Sequence, residues 1–217
     1  MTMPARKRTS PPLPNNFHVS EHPLIGHKLA LMRNRTTTSQ QFYTLMKEVG
    51  MLMTYEVTRR FETIPAANGL GETFAGKKPA LVPILRSGLA LAEGMREIMP
   101  AVRIGHLGLL QDEHHHTQEY LIALPEVNER TFIVLDAVIE TGNAAIRAIE
   151  ILTEEGVKQR DIIFTVIFST NKGAINILKR FPDVNIYASR LGEFEADKHS
   201  SLGSRKIGDR LFFGIKG

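Results

Sequence analysis

Two short stretches of the chain combine residue types suited to gripping phosphate. The first, DAVIETGNAA from Asp136 to Ala145, places an acid at the end of an apolar run and a Thr-Gly pair where a helical pattern begins. Backbone N–H groups at a helix start, reinforced by the helix dipole, favour a bound anion. Thr141 adds a hydroxyl donor, and Gly142, Asn143, Ala144 and Ala145 are small or polar residues at the start of the helix. The same spacing also suits an ordinary strand–helix turn capped by Thr141. In the second stretch, PILRSGL from Pro83 to Leu89, an apolar run ends in Arg86. Its planar fork matches phosphate oxygens in pairs. Gly88 would let the backbone approach a ligand closely, while a plain surface arginine at a strand end is the simpler alternative. Two anion-type turns on neighbouring strand ends suggest a substrate with two phosphate groups.

Glu140 sits inside the first turn, where a phosphate would repel it. Unit charges about 4 Å apart at a partly shielded site interact by roughly 4 kcal/mol. Its carboxylate must therefore face away from a bound phosphate, and a solvated glutamate near a helix N-terminus is electrostatically natural. His114, His115 and His116, flanked by Asp112, Glu113 and Glu119, raise the question of a metal. Consecutive residues cannot all converge on one ion, so a solvated arm is the expectation there.

Such turns need elements to aim them. Phe42, Leu45, Met46, Val49, Leu52 and Met53 recur at helical spacing and predict a core-facing helix from Ser39 to Arg60, with Ser39 as its N-cap. The segment 64–78 reads as a loop. Apolar runs then alternate with helical patterns. ALVPIL (80–85) precedes a helix over 89–99, and AVRIGHLGLL (101–110) follows. TFIVLD, ending at Asp136, precedes a helix over 141–155. DIIFTVIFS (161–169) precedes a helix over 172–181, and VNIYAS (184–189) closes the series. This alternation predicts an α/β fold with a mostly parallel sheet and helices on both faces. Ligands of such a sheet gather at the carboxyl ends of its strands, where Asp136 is expected to end one. The polar stretch between Leu110 and Thr131 reads as a hairpin or mobile arm.

A length of 217 residues suits one α/β domain with a full core. Residues 18–217 are taken as that domain, and 1–17 as a disordered, basic, Pro-rich tail without the apolar centre of a secretory signal. The chain has no cysteine, which excludes disulfides and thiolate metal sites and fits a reducing compartment. Of the formal charge of +4, Arg6, Lys7 and Arg8 supply three, so the body is nearly neutral and offers no extended nucleic-acid face. No apolar run nears the roughly 20 residues that span a bilayer. A cytoplasmic protein without nucleic-acid or membrane partners is expected.

Over residues 21–212 the chain resembles uracil phosphoribosyltransferases. The resemblance is carried by HPLIGHKLALMRN (22–34), GMLMTYEVTR (50–59), VPILRSGL (82–89), IGHLGLLQD (104–112), LPEVNER (124–130), the Asp136 loop, FPDVNIYAS (181–189) and GDRLF (208–212). It implies the phosphoribosyltransferase fold with a β-arm insertion and a C-terminal hood. It also implies 5-phosphoribosyl 1-diphosphate as substrate, whose pyrophosphate is displaced from ribose C1 by a ring nitrogen of uracil or another heterocyclic base. Mg²⁺ would enter with the diphosphate, and a homodimer or larger homo-oligomer is implied.

Carried over by this resemblance, Arg86 would hold the pyrophosphate, Thr141 to Ala145 the 5′-phosphate and Asp136 the ribose hydroxyls. The departures cluster at the site. Asn143 and Ala144 stand where the family places a glycine and a serine. Gln111 stands where it places an arginine beside the diphosphate. The uracil hood is altered from Lys198 to Lys206, where Gly203 keeps register and Lys206 replaces an aspartate near the ribosyl group. A similar loop of hypoxanthine–guanine phosphoribosyltransferases carries an aspartate just before its Thr-Gly pair, facing a ring nitrogen of the base. By that resemblance Glu140 is a candidate acceptor or general base toward a ring other than uracil. A non-catalytic homologue binding a nucleotide or a partner through the inherited site is the alternative.

Overall fold

The computed structural model describes residues 13–34, 36–111 and 117–192. One sheet dominates, built from β1 (Phe17–Val19), β4 (Ala80–Leu85), β5 (Arg103–Ile104), β6 (His106–Gln111), β7 (Thr117–Ala123), β8 (Phe132–Ile139), β9 (Ile162–Ser169) and β10 (Asn185–Leu191). Its strand order is β1-β10-β9-β8-β4-β6-β7, with β5 also paired to β4. All of these pairs are parallel except β6 with β7.

All eight residues of β8 are buried, as befits a central parallel strand covered on both faces. Its alternation splits the core in two. Phe132 and Val134 pack with Ala148, Ile149 and Leu152 of α4 (Asn143–Glu154) and with Ile177 and Leu178 of α5 (Asn171–Arg180). Ile133 and Leu135 pack on the other face with residues of α1 (Pro23–Arg33), α2 (Ser39–Thr58) and α3 (Leu89–Ile98). The predicted parallel sheet with helices on both faces is what the chain forms.

Local chemistry corrects several boundaries. The N-cap of α2 is Thr38 rather than Ser39, because Thr38 and Gln41 form a reciprocal capping box. The segment read as a loop over 64–78 contains a hairpin of β2 (Thr63–Pro65) and β3 (Glu72–Phe74), whose strands are exposed and so lack the apolar alternation that marks a buried strand. The run 101–110 divides at Gly105 into β5 and β6. Asp136 does not end its strand, for β8 continues to Ile139 beside β9. Phe17, placed with the tail, is buried in β1 and pairs with Ile186. Helix α1 opens on Pro23 at N1, with the His22 ring accepting from the Leu24 N–H.

Candidate functional site

The carboxyl ends of β4 and β8 carry both phosphate-type turns, and one hydrogen bond ties the first turn to β8 itself. Ser87 Oγ donates to Asp136 Oδ1 at 2.5 Å, and the same oxygen accepts from the Ala137 N–H at 2.7 Å. Asp136 is buried, and burial pushes its carboxyl up to about 6 against the opposing pull of its donors, Ser87 and the backbone of Ala137 and Val138. A buried carboxyl raised in this way, near the carboxyl end of a parallel strand, marks a candidate functional group. Arg86 follows β4 directly and is exposed beside it, and the Leu85–Arg86 peptide is cis.

Gly88 has a packing role that the sequence did not suggest. Its backbone presses on the carbonyl of Leu135, leaving no room for a Cβ, so its smallness serves the joint between β4 and β8. That joint holds Arg86 and Ser87 against the strand bearing Asp136.

The second turn is fixed from behind by the start of α5. Thr170 Oγ1 donates to the Glu140 carbonyl at 2.6 Å and accepts from the Gly173 N–H at 2.9 Å, capping α5 as it grips the loop. Asn176 Nδ2 donates to the Thr141 carbonyl at 3.0 Å. With Glu140 and Thr141 held by their carbonyls, Gly142 turns through φ = 90°, a left-handed conformation that favours glycine, and α4 begins. No side chain caps α4 at Gly142, and Asn143 N–H meets Thr141 Oγ1 only at a long 3.5 Å. The first N–H groups of an α-helix have no partner within it, which suits an anion at this end.

Of the expected phosphate-loop residues, Thr141, Asn143 and Ala144 are half-buried at the helix start, while Glu140 is exposed. Ala145 packs its methyl into the core, so only its backbone faces the turn. Gln111 ends β6, three residues beyond the Gly108 that pairs with Leu85, which carries it about 10 Å past the end of β4. Gly203, Lys206 and the rest of the hood lie outside the described residues, as do residues 112–116 with their three histidines. Among the described residues no group of three or more His, Cys, Asp or Glu could hold a metal ion.

Sequence reasoning missed Ser87, Thr170 and Asn176. Thr170 carried a signal, since a threonine three residues before Gly173 at a helix start is an N-cap pattern. Ser87 and Asn176 act across distant parts of the chain and left none. A cleft of about 480 Å³, lined in part by Arg60, Phe61, Phe74, Lys77, Arg160 and Tyr187, opens at the opposite, amino ends of the strands, away from these turns.

Known proteins resemble this chain over nearly its whole length. The family model for uracil phosphoribosyltransferase matches residues 19–214. A protein named uracil phosphoribosyltransferase from Paraburkholderia phymatum is 36% identical over 205 residues, covering 91% of this chain and 94% of its own. One of the same name from Ralstonia pickettii is 34% identical over the same shares of each chain. Among solved structures, the AQ2163 protein of Aquifex aeolicus superposes with a TM-score of 0.78 at 25% identity, covering 90% of this chain and 97% of its own. The APRTase of Giardia lamblia, solved with 9-deazaadenine, shares the fold at 13% identity and a TM-score of 0.51, covering 68% of this chain and 80% of its own.

Proposed function

The chain belongs to the uracil phosphoribosyltransferase family and is a pentosyl-transferring enzyme, and from this premise we propose the reaction it carries out. The 5-phosphoribosyl group of 5-phosphoribosyl 1-diphosphate passes to a ring nitrogen of a heterocyclic base. The C1–O bond to the diphosphate breaks, the C1–N bond forms as the ring nitrogen gives its proton to a general base, and pyrophosphate departs. The observation that carries this reading is the Ser87–Asp136 hydrogen bond, which ties the Arg86 turn to a buried carboxylate on the strand that leads into the Thr141 turn.

Each group then has a part. Arg86 offers a fork to the leaving diphosphate, whose charge grows as the C1–O bond lengthens. The turn from Thr141 to Ala145 holds the 5′-phosphate with backbone N–H groups and the Thr141 hydroxyl. Asp136 accepts from the ribose hydroxyls, and its negative charge suits the positive charge developing at C1. Gln111, Gly203 and Lys206 complete the substrate side.

Mg²⁺ would come in on the diphosphate. The carboxylate of Asp136 fits an ion that takes one or two protein carboxylates and fills its other positions with phosphate oxygens and water. Bound so, it would offset charge on the leaving group. The enzyme is proposed to work as a homodimer or larger homo-oligomer in the cytoplasm.

The relatives' name makes uracil the first acceptor to test. A ring other than uracil is the second reading, and it rests on Glu140. Its exposed side chain leaves a carboxylate available at the loop, where the resemblance to the hypoxanthine–guanine loop makes it an acceptor or general base. Pyrophosphate release with 5-phosphoribosyl 1-diphosphate, Mg²⁺ and a panel of bases tests both levels. The wild type should turn over at least one base. Glu140→Ala should slow transfer to the preferred ring, by on the order of 10²–10⁴-fold if Glu140 is the general base. Efficient use of uracil, undiminished in Glu140→Ala, would return the acceptor to uracil. No release with any base would overturn the proposed reaction.

A further inference from the structure

Arg147 lies one turn inside α4, apart from every residue given a role above, and gathers three carboxylates. Its Nε and Nη2 donate to the two carboxylate oxygens of Glu119 on β7, at 2.8 and 3.1 Å. Its Nη1 and Nη2 donate to those of Glu154, at 2.8 and 3.3 Å, and Nη1 also reaches Glu150 at 3.3 Å. Arg180 of α5 pairs with Glu150 from the other side. Arg147 thereby draws the Glu119 carboxyl below its usual range.

Glu119 meets Arg147 next to an irregularity in the hairpin. The β6–β7 register runs from His106 opposite Ala123 to Gly108 opposite Leu121, then shifts so that Leu109 faces Glu119 and Tyr120 is the extra residue. The Tyr120 ring fills the space where a side chain on Gly108 would stand. Such bulges re-aim the side chains that follow them.

The consequence is mechanical. On β7, residues 118–123 are exposed, and the strand pairs with β6 alone. Strand β6 in turn pairs with β4 only through Leu107 and Gly108. Beyond that point the ion pairs that tie the hairpin to the body, among the described residues, are those of Glu119 with Arg147. Helix α4, which carries Arg147, is also the helix whose first turn forms the Thr141–Ala145 loop.

We propose that Arg147 is a positioning residue for the phosphoribosyl donor. It fixes the β6–β7 hairpin, with Gln111 at the end of β6, against the helix that starts at the 5′-phosphate turn, and so sets the spacing between the two phosphate ends of the site. This rests on the donor reading above. The charges make the effect one-sided. Without Arg147, the carboxylates of Glu119, Glu150 and Glu154 keep, among the described residues, the ion pair of Glu150 with Arg180, and like charges push β7 off α4.

The test compares the full-length wild type with Arg147→Met and Arg147→Lys by steady-state kinetics and by hydrogen exchange. Arg147→Met should raise KM for 5-phosphoribosyl 1-diphosphate roughly fivefold, the scale of a partly exposed ion-pair network, while kcat and KM for the base stay within about twofold. Arg147→Lys keeps the charge but loses the fork, and should fall between the two. The amides of β7 should exchange faster in Arg147→Met. An active wild type with an unchanged donor KM in Arg147→Met overturns the inference, as does an equal rise in KM for the base. If the wild type releases no pyrophosphate with any base, the donor reading fails. Hydrogen exchange then decides the structural half, and unchanged protection of β7 overturns that as well.

Discussion

Asp136→Asn should make this protein more stable at neutral pH while weakening its hold on the ribosyl donor. Burial lifts the Asp136 carboxyl from 3.8 to about 6. Between those values the folded protein keeps a proton that the unfolded chain has released. Stability is therefore lost as pH rises through this window, and the cost is complete above about pH 6. A difference of about two units corresponds to roughly 3 kcal/mol at 1.36 kcal/mol per unit. Asparagine has nearly the same shape, and its carbonyl can still accept from Ser87 Oγ and the Ala137 N–H, so most of that cost should be recovered. For a chain of this size, about 2–3 kcal/mol moves the melting midpoint by roughly 4–12 °C. Denaturation of both proteins at pH 7.5 and pH 3.5 provides the comparison, with the variant ahead at the higher pH and the gap closed at the lower. A variant less stable than the wild type at pH 7.5 would refute the claim that burial raises this carboxyl. In the same preparations donor affinity should fall, since an amide is a weaker acceptor for ribose hydroxyls.

Two further substitutions separate binding from packing. Arg86→Ala should weaken binding of 5-phosphoribosyl 1-diphosphate by roughly 10- to 150-fold in isothermal titration, the worth of one charge-assisted contact; unchanged affinity with the fold intact would remove the diphosphate assignment. Gly88→Ala should cost about 1–3 kcal/mol in urea denaturation, because the new Cβ meets the Leu135 carbonyl; a stable variant with weakened ligand binding would return Gly88 to the ligand-approach role.

The strands and helices that position the site were legible because burial writes itself into period. ALVPIL matches β4 residue for residue, and the runs that became β8, β9 and β10 were each located within a few residues. What escaped is what period cannot encode. The β2–β3 hairpin is exposed throughout and carries no apolar alternation. Asp136 looked like a strand end because a charge usually marks one. Instead β8 continues buried for three more residues, the carboxyl paired to Ser87 and raised toward neutrality. Gly88 stands out in the sequence as a glycine at a helix start, but its contact with Leu135 does not, since only the fold brings that carbonyl against it. Thr170 and Asn176 lie some 30 residues beyond the loop they hold, and no local pattern links them to it.

This division of labour bears on how the site can change its acceptor. The turn after β8 is held through backbone groups: the carbonyls of Glu140 and Thr141 are tied to α5, and Gly142 supplies the left-handed bend. None of these constraints involves the side chain at position 140, which is exposed. A residue whose backbone is fixed by its neighbours and whose side chain is unpacked can be exchanged at little cost in stability, typically within about 0.5 kcal/mol. The phosphate side lacks that freedom. Its geometry depends on the contact of Gly88 with Leu135 and on the Ser87–Asp136 bond, where substitution disturbs a packed joint between two central strands. In the reaction proposed above, a carboxylate at position 140 can therefore alter what the loop offers a base while the proposed grip on phosphate stays as it was.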